Sequence, residues 1–259
     1  ELNRKTGRFK HYYISKSDDF NEKSIVSIHH ITDQHFLIGA NDGLYDLKIQ
    51  NGKGTFKKIH YKGISNPSAF QRVYQITPYK ESRFFLATKG GVLLYDIKTG
   101  EFQPFAYDPK KPKTTIGAGI CRVAYKGLND TYYFPTGVGG INVLSIDKNG
   151  KEQIVPYPMN KSILKASRDV ISSIYQENET TLWLGSSGSG LLKLNLQNGK
   201  VTAYTRKQGL PNNFVYGILP DSRGNLWLST NKGLCKFNKV EESCTNYSEV
   251  NGLMSNEFN

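Results

Sequence analysis

Histidine is the side chain best suited to catalysis or metal binding near neutral pH, and this 259-residue chain has five of them. Three of the five, His29, His30 and His35, lie close together. On a strand His29 and His30 would point to opposite faces, and Asp33 is the only further candidate ligand nearby. This pattern favours ordinary strand and turn residues over a metal centre. We therefore predict no metal site and no cofactor.

Glycine and serine alternate in the segment Gly185-Ser186-Ser187-Gly188-Ser189-Gly190, which has a composition like that of a phosphate-binding loop. A P-loop continues with Lys and then Ser or Thr and opens a helix, and neither feature follows here. The Gly-x-Ser-x-Gly turn that carries a hydrolase nucleophile is also missing from the sequence. We interpret the segment as a turn between strands and predict that this chain has no catalytic residue and is not itself an enzyme.

The elements that would position functional side chains belong to a repeated pattern. Five copies align on a large apolar residue, with residue numbers that differ successively by 48, 48, 50 and 44: Leu37, Phe85, Tyr133, Trp183 and Trp227. Two positions after the aligned residue comes a small or turn-forming residue, and a few residues later a glycine is followed by an aliphatic residue. An alternating run of apolar residues, such as Ile120 to Tyr125, precedes each copy. Each copy therefore predicts four short strands, and a period of about 45 residues is typical of β-propeller blades.

The repeat predicts an all-β chain that forms one propeller unit of four-stranded blades. We expect five whole blades and two partial ones, as a fragment of a larger propeller array. The whole blades are predicted at residues 23–66, 67–112, 113–160, 161–208 and 209–250. Residues 1–22 align with the end of a preceding blade, and residues 251–259 align with the start of a following one.

Charge and cysteine content add two expectations. The chain has 34 basic and 22 acidic residues, and a net charge of +12 attracts anionic ligands at long range. The charge is spread along the chain, and the densest cluster, Pro109 to Lys113, is typical of a solvated loop, so we predict no nucleic-acid partner. Cys235 and Cys244 lie on the two arms of one predicted hairpin, which is compatible with a cross-strand disulfide or with two free thiols.

The segment from Asp221 to Asn238 has the pattern Asp-x-x-Gly-Asn-Leu-Trp-Leu-Ser-Thr-x-x-Gly-Leu-x-x-Phe-Asn, and residues 181–195 keep its second half. This pattern resembles the regulatory propeller repeat of two-component sensors, and the resemblance extends more weakly over essentially the whole chain. It implies the periplasmic sensor region of a histidine kinase that responds to glycan fragments. It also implies contacts with neighbouring propeller and β domains of the same sensor, and a homodimer in the intact protein. The alternatives are a propeller enzyme of the lyase or glycosidase type and a protein-binding scaffold.

Propeller topology also predicts a ligand-binding face, because the loops between second and third strands share one face with the loops that join blades. These loops and the adjoining innermost strands carry amides, hydroxyls, basic groups and aromatic rings, which suit an oligosaccharide, and the net charge favours an anionic one. The candidate residues are Asn41, Asp42, Arg72, Tyr74, Lys89, Arg168, Ser187, Ser189, Asn213, Tyr216, Asn231 and Lys232. The alternatives are that these side chains serve turn geometry or contact an adjacent domain.

Overall fold

The computed structural model describes residues 5–13, 24–113, 115–137, 140–166 and 169–258. Strands make up 50% of these described residues and helices 8%, and the strands form five antiparallel sheets of four strands each. The predicted all-β fold of propeller blades is therefore confirmed. The chain divides into two compact units, Glu1–Pro104 and Phe105–Asn259, which are described separately.

The first unit contains two sheets in which the strands lie side by side in sequence order. The first sheet consists of β1 (Ile25–Thr32), β2 (His35–Ala40), β3 (Gly43–Gln50) and β4 (Lys53–Ile59). The second sheet consists of β5 (Val73–Tyr79), β6 (Arg83–Thr88), β7 (Gly91–Asp96) and β8 (Phe102–Phe105), whose last residue lies past the boundary of the unit. A short 3-10 helix, Pro67–Phe70, lies between the two sheets in sequence.

The second unit contains three sheets with the same strand order. The third sheet consists of β9 (Tyr125–Lys126), β10 (Tyr132–Thr136), β11 (Gly140–Ile146) and β12 (Glu152–Pro156). The fourth consists of β13 (Ile171–Asn178), β14 (Thr181–Ser186), β15 (Leu191–Asn195) and β16 (Val201–Tyr204). The fifth consists of β17 (Val215–Pro220), β18 (Leu226–Thr230), β19 (Gly233–Asn238) and β20 (Ser243–Tyr247).

The helical content is confined to short segments. The α-helix α1 (Asn160–Ala166) lies between the third and fourth sheets in sequence. Further 3-10 helices are Leu128–Asp130, Arg206–Gln208 and Glu249–Asn251. Among the described residues, none of the helices has the length and apolar character needed to cross a membrane.

In three of the five repeats the large apolar residue forms the core between successive sheets. Leu37 packs against the second sheet, Tyr133 against the fourth and Trp183 against the fifth, and all three are buried. Phe85 is also fully buried, whereas Trp227 is half-buried and stacks on Tyr247 with ring centroids 5.3 Å apart. These three repeats therefore place their large apolar residue where the apolar faces of two sheets meet.

The small residue two positions later allows neighbouring sheets to approach each other closely. A Cβ atom added at Gly39 would lie 2.7 Å from the carbonyl oxygen of Val73, and one added at Gly185 would lie 2.7 Å from that of Val215. Since these contacts are with backbone, which cannot move away as a flexible side chain can, glycine is required at both positions.

The third sheet departs from the sequence prediction. The run from Ile120 to Tyr125 is predicted as an alternating strand, but the structure has only the two-residue β9 and an isolated bridge between Cys121 and Thr136. Pro135 of β10 occupies the position of Gly39 and Gly185 and has no N–H to donate to an adjacent strand. The proline thus explains why the innermost strand of this sheet is interrupted.

The turn that precedes the best-preserved repeat is held by one carboxylate. Asp221 accepts hydrogen bonds from the backbone N–H groups of Arg223 and Asn225, from the amide of Asn225 and from the indole of Trp227. Hydrogen bonds to its charged form lower the pKa of Asp221 to about 2. Each of these bonds lies within the turn or its own strand, so Asp221 has a structural role.

The structure contains a disulfide between Cys235 of β19 and Cys244 of β20, with their Cα atoms 5.8 Å apart. Of the two arrangements that the sequence allows, the cross-strand disulfide is therefore found. The strand register pairs Cys235 with Asn246 and Cys244 with Phe237, so the two cysteines lie diagonally across the hairpin. Cys121 is a buried free thiol, and its burial raises its pKa to about 12.

Candidate functional site

In the first unit, Asn41 and Asp42 form the turn between β2 and β3. The Asp42 carboxylate accepts hydrogen bonds from the Tyr45 hydroxyl and the Lys58 ammonium, both at 2.6 Å. Burial, then the hydrogen bond and charge of Asp42, raise the pKa of Tyr45 well above its ordinary value, so its hydroxyl stays a donor. Sequence reasoning missed Tyr45 and Lys58, which become neighbours only through the register of β3 and β4.

Arg72, Tyr74 and Lys89 lie together at the start of the second sheet. The guanidinium of Arg72 lies 5.0 Å from the centre of the Tyr74 ring, in cation–π contact. The backbone N–H of Lys89 donates to the carbonyl of Arg72 at 3.2 Å. Lys89 is exposed, and the next residue, Gly90, lies so close to Ala69 that an added Cβ would meet its carbonyl oxygen at 2.6 Å.

In the second unit, the turn between β14 and β15 brings hydroxyl and carboxylate groups together. The hydroxyls of Ser187 and Ser172 are hydrogen-bonded at 2.9 Å, and the hydroxyl of Ser189 donates to the carboxylate of Asp169 at 2.5 Å. The sequence predicted Ser187 and Ser189, but it missed Asp169 and Ser172. The position of Asp169 beside the candidate Arg168, in the segment that leads into the fourth sheet, is the signal that could have identified it.

Asn213 holds this turn to the segment that leads into the fifth sheet. Its carbonyl accepts the backbone N–H groups of Gly188 and Gly190, and its side-chain oxygen accepts the N–H of Arg206 at 2.8 Å. Asn256 makes the equivalent bonds one repeat later, to the N–H of Gly233 and of Glu249. The Asn213 carbonyl and side-chain oxygens are thus used in joining repeats.

An aromatic pair lies beside the same turn. Phe214 forms an isolated bridge with Ser187, and its ring centroid is 6.2 Å from that of Tyr216. Phe214 is 37% exposed and Tyr216 is half-buried. The predicted residues Ser187, Ser189, Asn213 and Tyr216 therefore belong to one local cluster.

The remaining predicted residues are more separate. Lys232 is exposed in the turn between β18 and β19, where its backbone N–H donates to Thr230, and Asn231 is the half-buried residue before it. Arg168 lies outside the described residues. Within the described ranges, no group of three or more His, Cys, Asp or Glu side chains is arranged to hold a metal ion. A ligand at any of these positions remains a prediction.

Comparison with known proteins identifies the repeat. The profile of the two component regulator propeller family matches residues 209–232, which lead into and include β17 and β18. Histidine kinase P4 of Formosa agariphila is 30% identical over 239 residues. That match covers 88% of this chain but 17% of the kinase, so the chain spans a small part of its relative.

Solved structures share the fold. The extracellular domain of BT3049 from B. thetaiotaomicron, described as a hybrid two component system, has a TM-score of 0.70 and 22% identity. The match covers 87% of this chain and 30% of that one. PorZ, a surface component of the type-IX secretion system of Porphyromonas gingivalis, has a TM-score of 0.59 and 14% identity, over 90% of this chain and 35% of PorZ. At these identities the structural likeness establishes the fold alone. The chain thus has a propeller fold, carries a two component regulator propeller repeat at residues 209–232, and is similar over most of its length to part of a histidine kinase.

Proposed function

We propose that this chain is a ligand-sensing propeller segment from the periplasmic region of a two-component sensor histidine kinase, and that it responds to glycan fragments. The kinase relative and the two-component regulator repeat support the sensor assignment. The extracellular origin of the BT3049 domain supports the location, and the Cys235–Cys244 disulfide agrees with an oxidising compartment. In this proposal the segment binds or transmits the signal, and kinase activity belongs to other parts of the protein.

The observation that carries the proposed ligand class is the cluster around the turn between β14 and β15. Ser172, Ser187 and Ser189 supply hydroxyls, Asp169 supplies a carboxylate, and Tyr216 with Phe214 supplies adjacent aromatic rings. Hydroxyls and carboxylates exchange hydrogen bonds with sugar hydroxyls, and ring faces pack on the apolar side of a pyranose. We call these residues the β14–β15 cluster.

The test is calorimetric titration of the purified chain with a panel of neutral and acidic oligosaccharides. A sugar that binds the β14–β15 cluster should lose at least about tenfold in affinity, or about 1.4 kcal/mol, in Tyr216→Ala and in Ser189→Ala. The matched control is Lys110→Met with Lys111→Met, in an exposed loop at a different part of the chain.

Circular dichroism should show that each variant keeps its strand content. Binding that is equally strong in Tyr216→Ala, Ser189→Ala and the control would remove the β14–β15 cluster from the proposal. No binding of any sugar by the folded chain would count against a glycan ligand for this segment.

A further inference from the structure

A polar groove opens between the fourth and fifth sheets at the end opposite the β14–β15 cluster. Its larger part, about 580 Å³, is lined by residues of both sheets, including Glu177, Lys193, Arg223 and Lys239. A smaller part of about 160 Å³ adjoins it at Lys193 and includes Thr181, at the first position of β14. Because Thr181 and Ser186 are the two ends of β14, the groove and the β14–β15 cluster lie at opposite ends of the strand.

The composition of the facing surfaces explains why the sheets separate here. Trp183, Leu191 and Tyr204 of the fourth sheet are buried in an apolar cluster with the fifth sheet. Towards the start of β14 the same face carries Lys193 and Thr202, which are paired across β15 and β16 and are only half-buried. Apolar packing therefore holds the sheets together at one end and gives way to polar, hydrated side chains at the other.

The carboxylate of Glu177 is already neutralised by the protein. One of its oxygens accepts the indole N–H of Trp183 at 2.7 Å, and the other pairs with the ammonium of Lys239 from the fifth sheet. The side chains of Glu177 and Lys239 are 25% and 18% exposed. Glu242, in the smaller part of the groove, accepts the hydroxyl of Tyr204.

Three cations that line the groove have no such partner among the described residues: Lys193, Arg223 and, in the smaller part, Lys200. The ammonium of Lys193 lies 5.2 Å from the centre of the buried Trp183 ring, and Arg223 is exposed on the turn that precedes β18. In the described part of the chain, none of these three side chains has a carboxylate within ion-pair distance. Glu241 also lines the larger part and accepts the hydroxyl of Ser243, so the charged lining of that part is three cations and two carboxylates. Asn195 and Asn238 add amide groups.

We propose that this groove binds an anionic saccharide, a uronic acid oligomer with a carboxylate group between Lys193 and Arg223. Ammonium and guanidinium groups make their strongest hydrogen bonds to such oxyanions. The surrounding amides and the hydroxyls of Thr181 and Thr202 suit the hydroxyls of a sugar, whereas a peptide groove would need a more apolar lining. The site is separate from the β14–β15 cluster, and its existence does not depend on a ligand there.

The test uses Trp183 as a reporter, since it lies directly beneath Lys193. The chain has two tryptophans, so Trp227→Phe leaves Trp183 as the only one. Titration of this variant with a tetrasaccharide of galacturonic acid should change the Trp183 emission and saturate. The neutral tetrasaccharide of galactose should give no saturable change. A separate titration with sodium sulfate tests whether the groove binds a small anion without any sugar.

Lys193→Met and Arg223→Gln should each weaken the galacturonate complex by at least about tenfold, because each removes one charge-assisted contact. Lys110→Met with Lys111→Met removes two charges from a distant loop and should change affinity less than about twofold, through long-range charge only. Tyr216→Ala, in the β14–β15 cluster, should also leave the Trp183 response unchanged.

The opposite outcomes would overturn the proposal. They are no response to galacturonate, an equal response to the neutral sugar, an equal loss in the loop control, or a loss caused by Tyr216→Ala alone. A response to sulfate that galacturonate does not reproduce would show a small-anion site and would also exclude a saccharide. If Tyr216→Ala abolishes binding and Lys193→Met does not, the sugar binds the β14–β15 cluster and not the groove. If Lys193→Met abolishes binding and Tyr216→Ala does not, the sugar binds the groove.

Discussion

The contact between the first and second sheets and the contact between the fourth and fifth have the same core and different chemistry at one repeat position. Val73, Ile76, Leu86 and Leu93 surround Leu37 in the first contact. In the second contact the equivalent residues Val215, Ile218, Leu228 and Cys235 surround Trp183. Each of these four residues of one contact thus has a counterpart in the other.

The difference lies on the third strand of the sheet, in the residue that is paired with the large apolar residue of the second strand. Asp46 is opposite Leu37, and Lys193 is opposite Trp183. Asp46 is held within its own sheet, by a hydrogen bond with His35 and by an ion pair with Lys48 at 3.7 Å. Burial, followed by the charge of Asp46, raises the pKa of Tyr95 on the second sheet to about 12.

Lys193 has no carboxylate partner among the described residues and borders an open groove. The comparison shows that the apolar positions of the repeat keep the same sheet packing in both contacts. The position of Asp46 and Lys193 carries opposite charges in the two contacts. A ligand-binding property can therefore differ from one pair of sheets to the next without any change in fold.

The largest effect should come from removing the core residue of one contact. Trp183→Ala should lower the free energy of unfolding by about 3–5 kcal/mol, because it leaves a cavity between the fourth and fifth sheets. Trp227→Ala should cost less, since Trp227 is half-buried. Urea denaturation followed by circular dichroism measures both, and equal losses would show that Trp183 is not the main packing residue.

The second-largest effect should come from the disulfide, which is in the fifth sheet and therefore belongs to the second contact only. Cys235→Ala with Cys244→Ala should lower the free energy of unfolding by about 2–3 kcal/mol, because it removes the crosslink that restricts the unfolded chain. A reducing agent should lower the stability of the original chain and leave that of the double variant unchanged. Equal stability of the oxidised chain and the double variant would contradict the expected contribution.

The Glu177–Lys239 ion pair should make the contact of the fourth and fifth sheets acid-sensitive. Burial alone would raise the pKa of Glu177, but bonds from Lys239 and Trp183, with the charges of Lys239 and Lys193, lower it below its ordinary 4.5. Its stabilising contribution is therefore fully present above pH 4.5 and is lost as the pH falls through the lowered pKa.

Glu177→Gln should flatten the dependence of stability on pH below about 4.5, with a loss of about 1 kcal/mol at neutral pH because the pair is partly hydrated. Glu81→Gln is the matched control, because Glu81 forms an exposed pair with Lys98 at 3.6 Å. An unchanged acid profile in Glu177→Gln would show that the pair contributes nothing to folding.

The smallest effects should come from the variable repeat position itself. Lys193→Met should change the free energy of unfolding by less than about 1 kcal/mol, since it removes a cation–π contact and a weak attraction to Glu177, and the methionine can still cover Trp183. Asp46→Asn should cost more, because Lys48 loses the charge of its carboxylate partner and the hydrogen bond with His35 is weakened. Thermal unfolding of the two variants side by side compares them, and the reverse order would show that the contacts of Asp46 contribute less to folding than those of Lys193.

Much of the fold could be predicted from the sequence because the relevant signals are local. The alternation of apolar residues, the glycine that begins or directly precedes each third strand and turn sequences such as Asp221-Ser222-Arg223-Gly224 act within a few residues of chain. The interrupted inner strand of the third sheet was missed, although its cause, Pro135, is visible in the sequence. The alternating run from Ile120 indicates where a strand could form and not whether its neighbour can supply the hydrogen bonds.

The candidate sites depend on contacts that spacing along the chain does not specify. Glu177 and Lys239 are 62 positions apart, and Tyr125 and the backbone of Gln176 are 51 apart, yet each pair is hydrogen-bonded. The sequence by itself determined the repeat, the blade-like sheets and the possibility of a disulfide, because these follow from side-chain period and turn chemistry. Only the tertiary structure decided that Cys235 meets Cys244, that Asp169 joins Ser189 and that Lys193 borders a groove, because strand register and the packing of one sheet on the next set those distances.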